Sequence, residues 1–439
     1  MPQMNLSRRK FLQKLLVSAT TLVAIPHASA ALLDGFLFNP CGTALPQHLL
    51  AHPIVAAAWQ GIDPAQLWDT HAHIAGTGDS DSGIFTTHEM NSLWHPMQYT
   101  QRVFYLNAGC TEKGRVDHSF IERLSHLTEE LNQVAAYVKK TLIRDAVNVN
   151  TATLPQAKLM LFAFEQAHDE AGKVLRDRTA FHVPNSYAQA VAKQNPQYFE
   201  WVCSIHPYRP DALAALEAAV ANGARAVKWL PSAMGIDPAS AKCDAFYQSL
   251  SSLNIPLICH AGEEKAVDGM GFHDANNPLK MRRAMDAGVR VVMAHCASIG
   301  EDIDLDIGVH GPHVPSFSLF SRLMADPQYK HHLFADISAI TLRNRSPDTV
   351  RSIIDHQDWH GRLLNGSDYP LPGVVPLFSL GKLVKAGLLH GDVVPVLEEI
   401  QNYNPLLFDF VLKRQLRSGK LKLSNNIFHT RDFFLRSIS

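Results

Sequence analysis

Ile255-Pro256-Leu257-Ile258-Cys259-His260 and Val289-Arg290-Val291-Val292-Met293-Ala294-His295 frame the stretch that decides the fold. Between them Asn277-Pro278 opens a helical segment that runs through Asp286 and stops at Gly288, with proline at the start and glycine past the end, as helices prefer. Two apolar runs too short for helices, separated by one helix, describe parallel strands buried on both faces. Working outward, runs of the same kind stand at 66–70, 158–164, 199–205, 224–230, 332–337 and 362–365. A further Ala/Leu-rich helix starts after Asp211 and is stopped by Gly223.

Eight such runs in order predict an α/β fold of the (β/α)8 TIM-barrel type. The open doubly wound sheet is the alternative, and no Gly-rich phosphate loop follows the first run to support it. Two connections exceed a minimal barrel: 74–157, with a Gly/Asp-rich stretch and a helix expected over 119–140, and 298–330, rich in Gly, Pro, His and Asp. Both follow strands, which places these long loops after strands 1 and 6 on the active-site face. The segment 401–439 is expected to pack helices around the barrel, and 31–439 reads as one domain.

Composition is that of a globular chain with ample material for a core, since 46% of the 439 residues are hydrophobic and 18% charged. A formal charge of -1 gives no reason to expect a nucleic-acid partner; the expected partner is a small-molecule substrate. The first thirty residues differ. Arg8-Arg9-Lys10-Phe11-Leu12 precedes an apolar stretch to Ile25, and Ala28-Ser29-Ala30 follows. This order reads as a signal peptide over 1–30, too short in its apolar part to span a bilayer. The paired arginines resemble the twin-arginine signal, implying that export machinery as a partner and a periplasmic or otherwise exported location. The segment carries four positive charges and no acid, so cleavage after Ala30 takes the chain from -1 to -5. The six cysteines show no CxxC spacing and read as buried thiols, with a Cys41–Cys110 bridge conceivable in an oxidising compartment.

The chemistry gathers at the strand ends. The first strand closes on Asp69-Thr70-His71-Ala72-His73, and residues two apart on a strand face one side, so both imidazoles can enter the barrel mouth. His260 follows the fifth run, His295 the sixth and Asp368 the eighth. Polar groups directly after apolar strands are costly unless paired or metal-bound, and a His/Asp set suits zinc. Weaker candidates are His206, which could equally line the site or sit in a turn, and His310, His313, His88, Glu89 and His95, better read as loop residues.

The segments D-T-H-A-H (69–73), I-C-H-A-G (258–262), M-A-H-C (293–296) and N-G-S-D-Y-P (365–370), in this order, resemble the amidohydrolase superfamily, in particular its branch of lactonases, decarboxylases and related hydrolases. The likeness runs from 66 to 408 and includes 185–187 through 227–228 and Asn404-Pro405-Leu406-Leu407-Phe408. The resemblance implies His71, His73 and His260 as metal ligands, Asp368 as ligand and general base, and His295 as the group that polarises a carbonyl or shuttles a proton. Lys228 would bridge a second metal if there were two; one is the expectation, most suitably zinc, with iron, manganese or cobalt also accommodated. The implied reaction is hydrolysis of a lactone, ester or amide, and its rival on the same fold is non-oxidative decarboxylation. A periplasmic metal- or solute-binding protein without catalysis is the alternative from another class. A serine hydrolase lacks its G-x-S-x-G elbow here.

Overall fold

The computed structural model describes residues 44–111, 115–142, 156–267 and 271–435. The signal-peptide reading and Cys41 fall outside them. Eight parallel strands follow one another: β1 Trp68–His73, β2 Lys158–Phe162, β3 Phe199–Val202, β4 Val227–Trp229, β5 Leu257–His260, β6 Val291–Ala294, β7 Leu333–Asp336 and β8 Leu363–Leu364. β1, β2 and β3 pair in sequence, as do β4 through β8. A bridge between Cys203 and Val227 joins the two sets. The ring closes where Thr70 N–H donates to the Asn365 carbonyl (3.0 Å) and Asp368 N–H to the His71 carbonyl (2.8 Å), beside the bridge from Ala72 to Tyr369. The chain is therefore a closed (β/α)8 barrel, a form that leaves no edge strand.

The barrel is filled rather than hollow. Trp68, Met160, Phe162, Val202, Ala226, Ile258, Val292 and Leu364 pack inside it, with Phe434 from the chain's last described turn. That segment also covers the N-terminal end of the barrel, where Thr430 Oγ1 accepts from Trp68 N–H (2.8 Å). A second, larger core lies between strands and helices and takes the alternate residues, among them Leu161, Val227, Leu257 and Met293.

Several helix starts carry the caps their sequences imply. α1 (Pro347–Asp355) begins at Ser346, whose hydroxyl accepts from Asp348 N–H, and α2 (Pro405–Gln415) at Asn404, which accepts from Leu407 N–H. Asp211 does precede a helix, Ala212–Ala221, but its carboxylate pairs with Arg209 instead of capping it.

The long connections differ from expectation in detail. The helix read over 119–140 spans Val116–Leu142, and Pro96–Ala108 forms another before it. Residues 298–330 are not one long loop: Glu301–Ile303 and His313–Pro315 make a hairpin, and Ser316–Ala325 is a helix whose Leu319, Phe320, Leu323 and Met324 are buried. That apolar face recurs at helical spacing and supplies the burial that turns a polar-looking stretch into structure.

Candidate metal and catalytic centre

Strand parity delivers most of the site. Ile258 and Ala226 point into the barrel, so His260 and Lys228, two residues further along the same strands, project into its mouth. In β1 the pairing with β2 shifts between Asp69 and Ala72. Such an irregularity re-aims side chains locally, and here His71 and His73 turn to one carboxylate. His71 Nε2 lies 3.5 Å and His73 Nε2 3.2 Å from Asp368 Oδ1.

Parity does not deliver His295. Val292 faces inward, so strict alternation would send His295 outward. Instead His295, Cys296 and Ala297 all take left-handed backbone (φ 57°, 52° and 46°), and Asp368 does the same at 60°. Non-glycine residues pay for that conformation, and the turn brings His295 to the cavity with His71, His73, Lys228, His260 and Asp368. Gly366 is required for a related reason: a Cβ there would stand 2.7 Å from the His71 Cβ, so only glycine lets β8 close on β1.

Asp336, at the end of β7, organises the histidines from below. Its Oδ2 accepts from His71 Nδ1–H at 2.9 Å; its Oδ1 accepts from the backbone N–H of His295 and of Ser338, each at 3.0 Å, and from the Ser338 hydroxyl. With Nδ1 so engaged, His71 presents a bare Nε2 to the cavity. The Ser338 hydroxyl spends its proton on Asp336, so His295 Nδ1–H donates to Ser338, whose Oγ is 2.7 Å away and carbonyl 3.2 Å. His295 Nε2 is then also a lone pair. His260 Nδ1 lies 3.4 Å from Glu264, and its buried Nε2 has no hydrogen-bond partner among the described residues.

Burial lowers the proton affinity of the three deepest imidazoles. His71, with Lys228 adding to the effect, drops to about 4, and His260 and His295 also fall below the usual histidine value. Burial alone would raise Asp368, but His295 and His71 hold it well below the usual carboxylate range. Neutral imidazoles and an ionised carboxylate are the states in which these groups bind a metal.

Two sets of side chains are close enough to hold an ion: His71, His73 and Asp368, and His71, His295 and Asp336. In the second, the Asp336 oxygens are already committed to four donors, which makes it the orienting carboxylate of the first. Asp336 and Ser338 were not singled out in the sequence. The signal existed, since Asp336 ends an apolar run as His260 and His295 do.

Lys228 is fully buried, its Nζ 3.4 Å from His71 Nε2 and 4.9 Å from the centre of the Phe162 ring, and burial lowers its pKa. Arg345, buried beside the cavity, has no hydrogen-bond partner at Nε among the described residues. The weaker candidates sit elsewhere. His206 is buried in a turn, its Nε2 3.0 Å from the Met234 carbonyl and its Nδ1 accepting from Tyr208 N–H. His88, His95, His310 and His313 are exposed and, like Glu89, do not line this cavity. The loop after β1 lines it from Ile74 to Leu106, whereas residues 298–330 contribute no side chain.

A family model described as amidohydrolase matches residues 145–380, more than half of the chain. The span holds Lys228, His260, His295, Asp336 and Asp368 and begins beyond His71 and His73. No curated protein matches. Among solved structures, the chain is similar to a probable 2-pyrone-4,6-dicarboxylic acid hydrolase from Acinetobacter baumannii (13% identity, 78% of this chain and 97% of that one, TM-score 0.41). It is also similar to an uncharacterised TIM-barrel protein from Bordetella bronchiseptica (14%, 76% and 98%, 0.42). A third is 5-carboxyvanillate decarboxylase from Sphingomonas paucimobilis (12%, 76% and 97%, 0.36).

Proposed function

The chain belongs to the amidohydrolase family, and on that premise we propose that it is a metal-dependent hydrolase cleaving a C–O or C–N bond next to a carbonyl, in a lactone, ester or amide. The observation that carries this reading is the donor set. Nε2 of His71 and His73 converges with Asp368 Oδ1, and the buried His260 Nε2 has no hydrogen-bond partner among the described residues. Two imidazole nitrogens and one carboxylate oxygen lie close enough together to hold a zinc-type cation, and His260 lines the same cavity as a further donor. An unsatisfied buried nitrogen is otherwise expensive.

His71, His73, His260 and Asp368 would hold the ion. A divalent cation there supplies Lewis acidity, which makes water a competent nucleophile near neutral pH. Asp368, ionised and inside the cavity, accepts the proton of the attacking water and returns it to the leaving oxygen or nitrogen. His295 offers a lone pair at Nε2 and so accepts a hydrogen bond from the attacking water rather than donating one to the carbonyl; Ser338 and Asp336 fix that tautomer. Lys228 and Arg345 supply positive charge beside the developing oxyanion. One ion is the reading, with Lys228 a fixed charge and not a bridge.

Decarboxylation is the second reading, favoured by the same two buried cations, which could seat a substrate carboxylate. Export remains our proposal for location; Cys110 is disulfide-bonded, in keeping with an oxidising compartment, while Cys203, Cys243, Cys259 and Cys296 are buried thiols.

Elemental analysis of the purified protein beside His71→Ala and His260→Ala tests the centre. About one metal per chain, lost in both variants, is expected; a metal-free protein under every loading condition removes the proposal. Product analysis across lactones, esters, amides and aryl carboxylates separates an added-water product from CO2.

A further inference from the structure

The cavity of about 220 Å³ above the histidines has walls that hydrolysis by itself does not require. Met90 and Leu106 come from the long connection after β1, Phe164 and Phe181 from the segment after β2, and Leu342 and Leu377 from those after β7 and β8. On the helix Pro96–Ala108, Gln101, Arg102, Tyr105 and Leu106 line the cavity, a spacing that puts them on one face. The wall is braced. Phe164 and Phe181 have ring centres 5.5 Å apart, and Phe181–His182 pairs as a strand with Phe85–Thr86. Gln101 Nε2 donates to the Lys265 carbonyl at 2.7 Å, tying the helix to the loop after β5.

The charged side chains around the cavity nearly balance. Arg102, Lys228, Lys265 and Arg345 stand against Glu263, Glu264 and Asp368, and the three carboxylates act on Arg345 electrostatically. What the outer cavity offers a ligand is therefore apolar surface.

We propose that Met90, Leu106, Phe164, Phe181, Leu342 and Leu377 form a subsite for an apolar alkyl or aryl substituent carried by the substrate. The substrate class is then an ester, lactone or amide with a hydrocarbon arm, its carbonyl at the histidines and its arm between these side chains. This rests on the hydrolase reading above and narrows it.

Two measurements keep the two ideas separate. The first follows kcat/KM for γ-lactones bearing alkyl arms from methyl to octyl. The subsite requires a rise of about threefold to fourfold per added methylene until the space is full. Leu106→Trp should end the rise at a shorter arm, and Phe181→Ala should shift the optimum to a longer one. These two variants change the wall in opposite directions, so the failure of one to fold leaves the other decisive. The second measures binding of alkan-2-ones of the same lengths to the Asp368→Asn protein by calorimetry, where no turnover is involved. Ketones that bind with the same increment, while the unaltered protein hydrolyses no lactone, ester or amide carrying these arms, leave the subsite standing and defeat the hydrolase reading. Affinity indifferent to arm length, or greater for an arm ending in carboxylate than in methyl, overturns the subsite.

Discussion

Replacing Asp336 by Asn tests the architecture under the proposed metal centre more sharply than removing a proposed ligand. The carboxylate is fully buried and accepts four hydrogen bonds, from His71 Nδ1, the backbone N–H of His295, the backbone N–H of Ser338, and the Ser338 hydroxyl. An amide has the same shape but one acceptor oxygen. If that oxygen stays on the two backbone N–H groups, the NH2 faces His71 Nδ1. Two outcomes are then open to His71. It keeps its Nδ1 proton against another donor, at a cost of about 1–3 kcal/mol, or it moves the proton to Nε2 and gives up its lone pair. Either way metal affinity should fall about 10- to 100-fold, about 1.4–2.7 kcal/mol, with the fold intact. Competition against a chelator of known affinity reads the loss, and circular dichroism checks the fold. A folded Asn variant that holds metal as tightly as the parent refutes the orienting role. One that loses metal as completely as His71→Ala makes Asp336 a ligand.

Adding the cognate metal at about 100 times its Kd should stabilise the protein against denaturant by about 2.7 kcal/mol, and His71→Ala should show none of that gain. Asp368→Asn should lower kcat by about 10²-fold or more, the scale of general base catalysis; a fall under threefold in a metal-loaded variant would assign the base elsewhere. Lys413 is fully buried, donating to Asp409 Oδ2 and to the Gly366 carbonyl, each at 2.5 Å. Lys413→Met strands a buried carboxylate and should cost about 3–5 kcal/mol, with most of it recovered in the double variant carrying Asp409→Asn; equilibrium unfolding in urea decides, and no recovery would mean the lysine acts only through Gly366.

The strand order was open to sequence reading because it rests on local signals. Short apolar runs between helices mark strands buried on both faces, and all eight runs coincide with barrel strands. The first apolar run covers 66–70 although the strand is Trp68–His73, since the polar His71 and His73 interrupt its apolar pattern. The helix Pro96–Ala108 has no capping side chain to mark its start in the sequence: His95 stands there without a side-chain bond. The hairpin and helix within 298–330 are hidden in the sequence because glycines, prolines and charges there mask the apolar face of Ser316–Ala325.

Sequence alone determined which residues end each strand, because strand parity and hydrophobic runs are properties of neighbouring residues. It thus placed His71, His73, Lys228, His260, His295 and Asp368 at or just past strand ends, on the mouth side of the barrel. Tertiary structure decided what those residues can do there. Asp336 meets His71 across 265 positions of chain, and that contact selects the ring nitrogen that stays bare. Three left-handed residues turn His295 back into the cavity against strand parity, a conformation held by the hydrogen bonds of Asp336 and not encoded in any local preference. The apolar walls likewise exist only where loops from distant strands meet, because barrel closure, not proximity in sequence, makes Met90, Phe181 and Leu377 neighbours of one cavity.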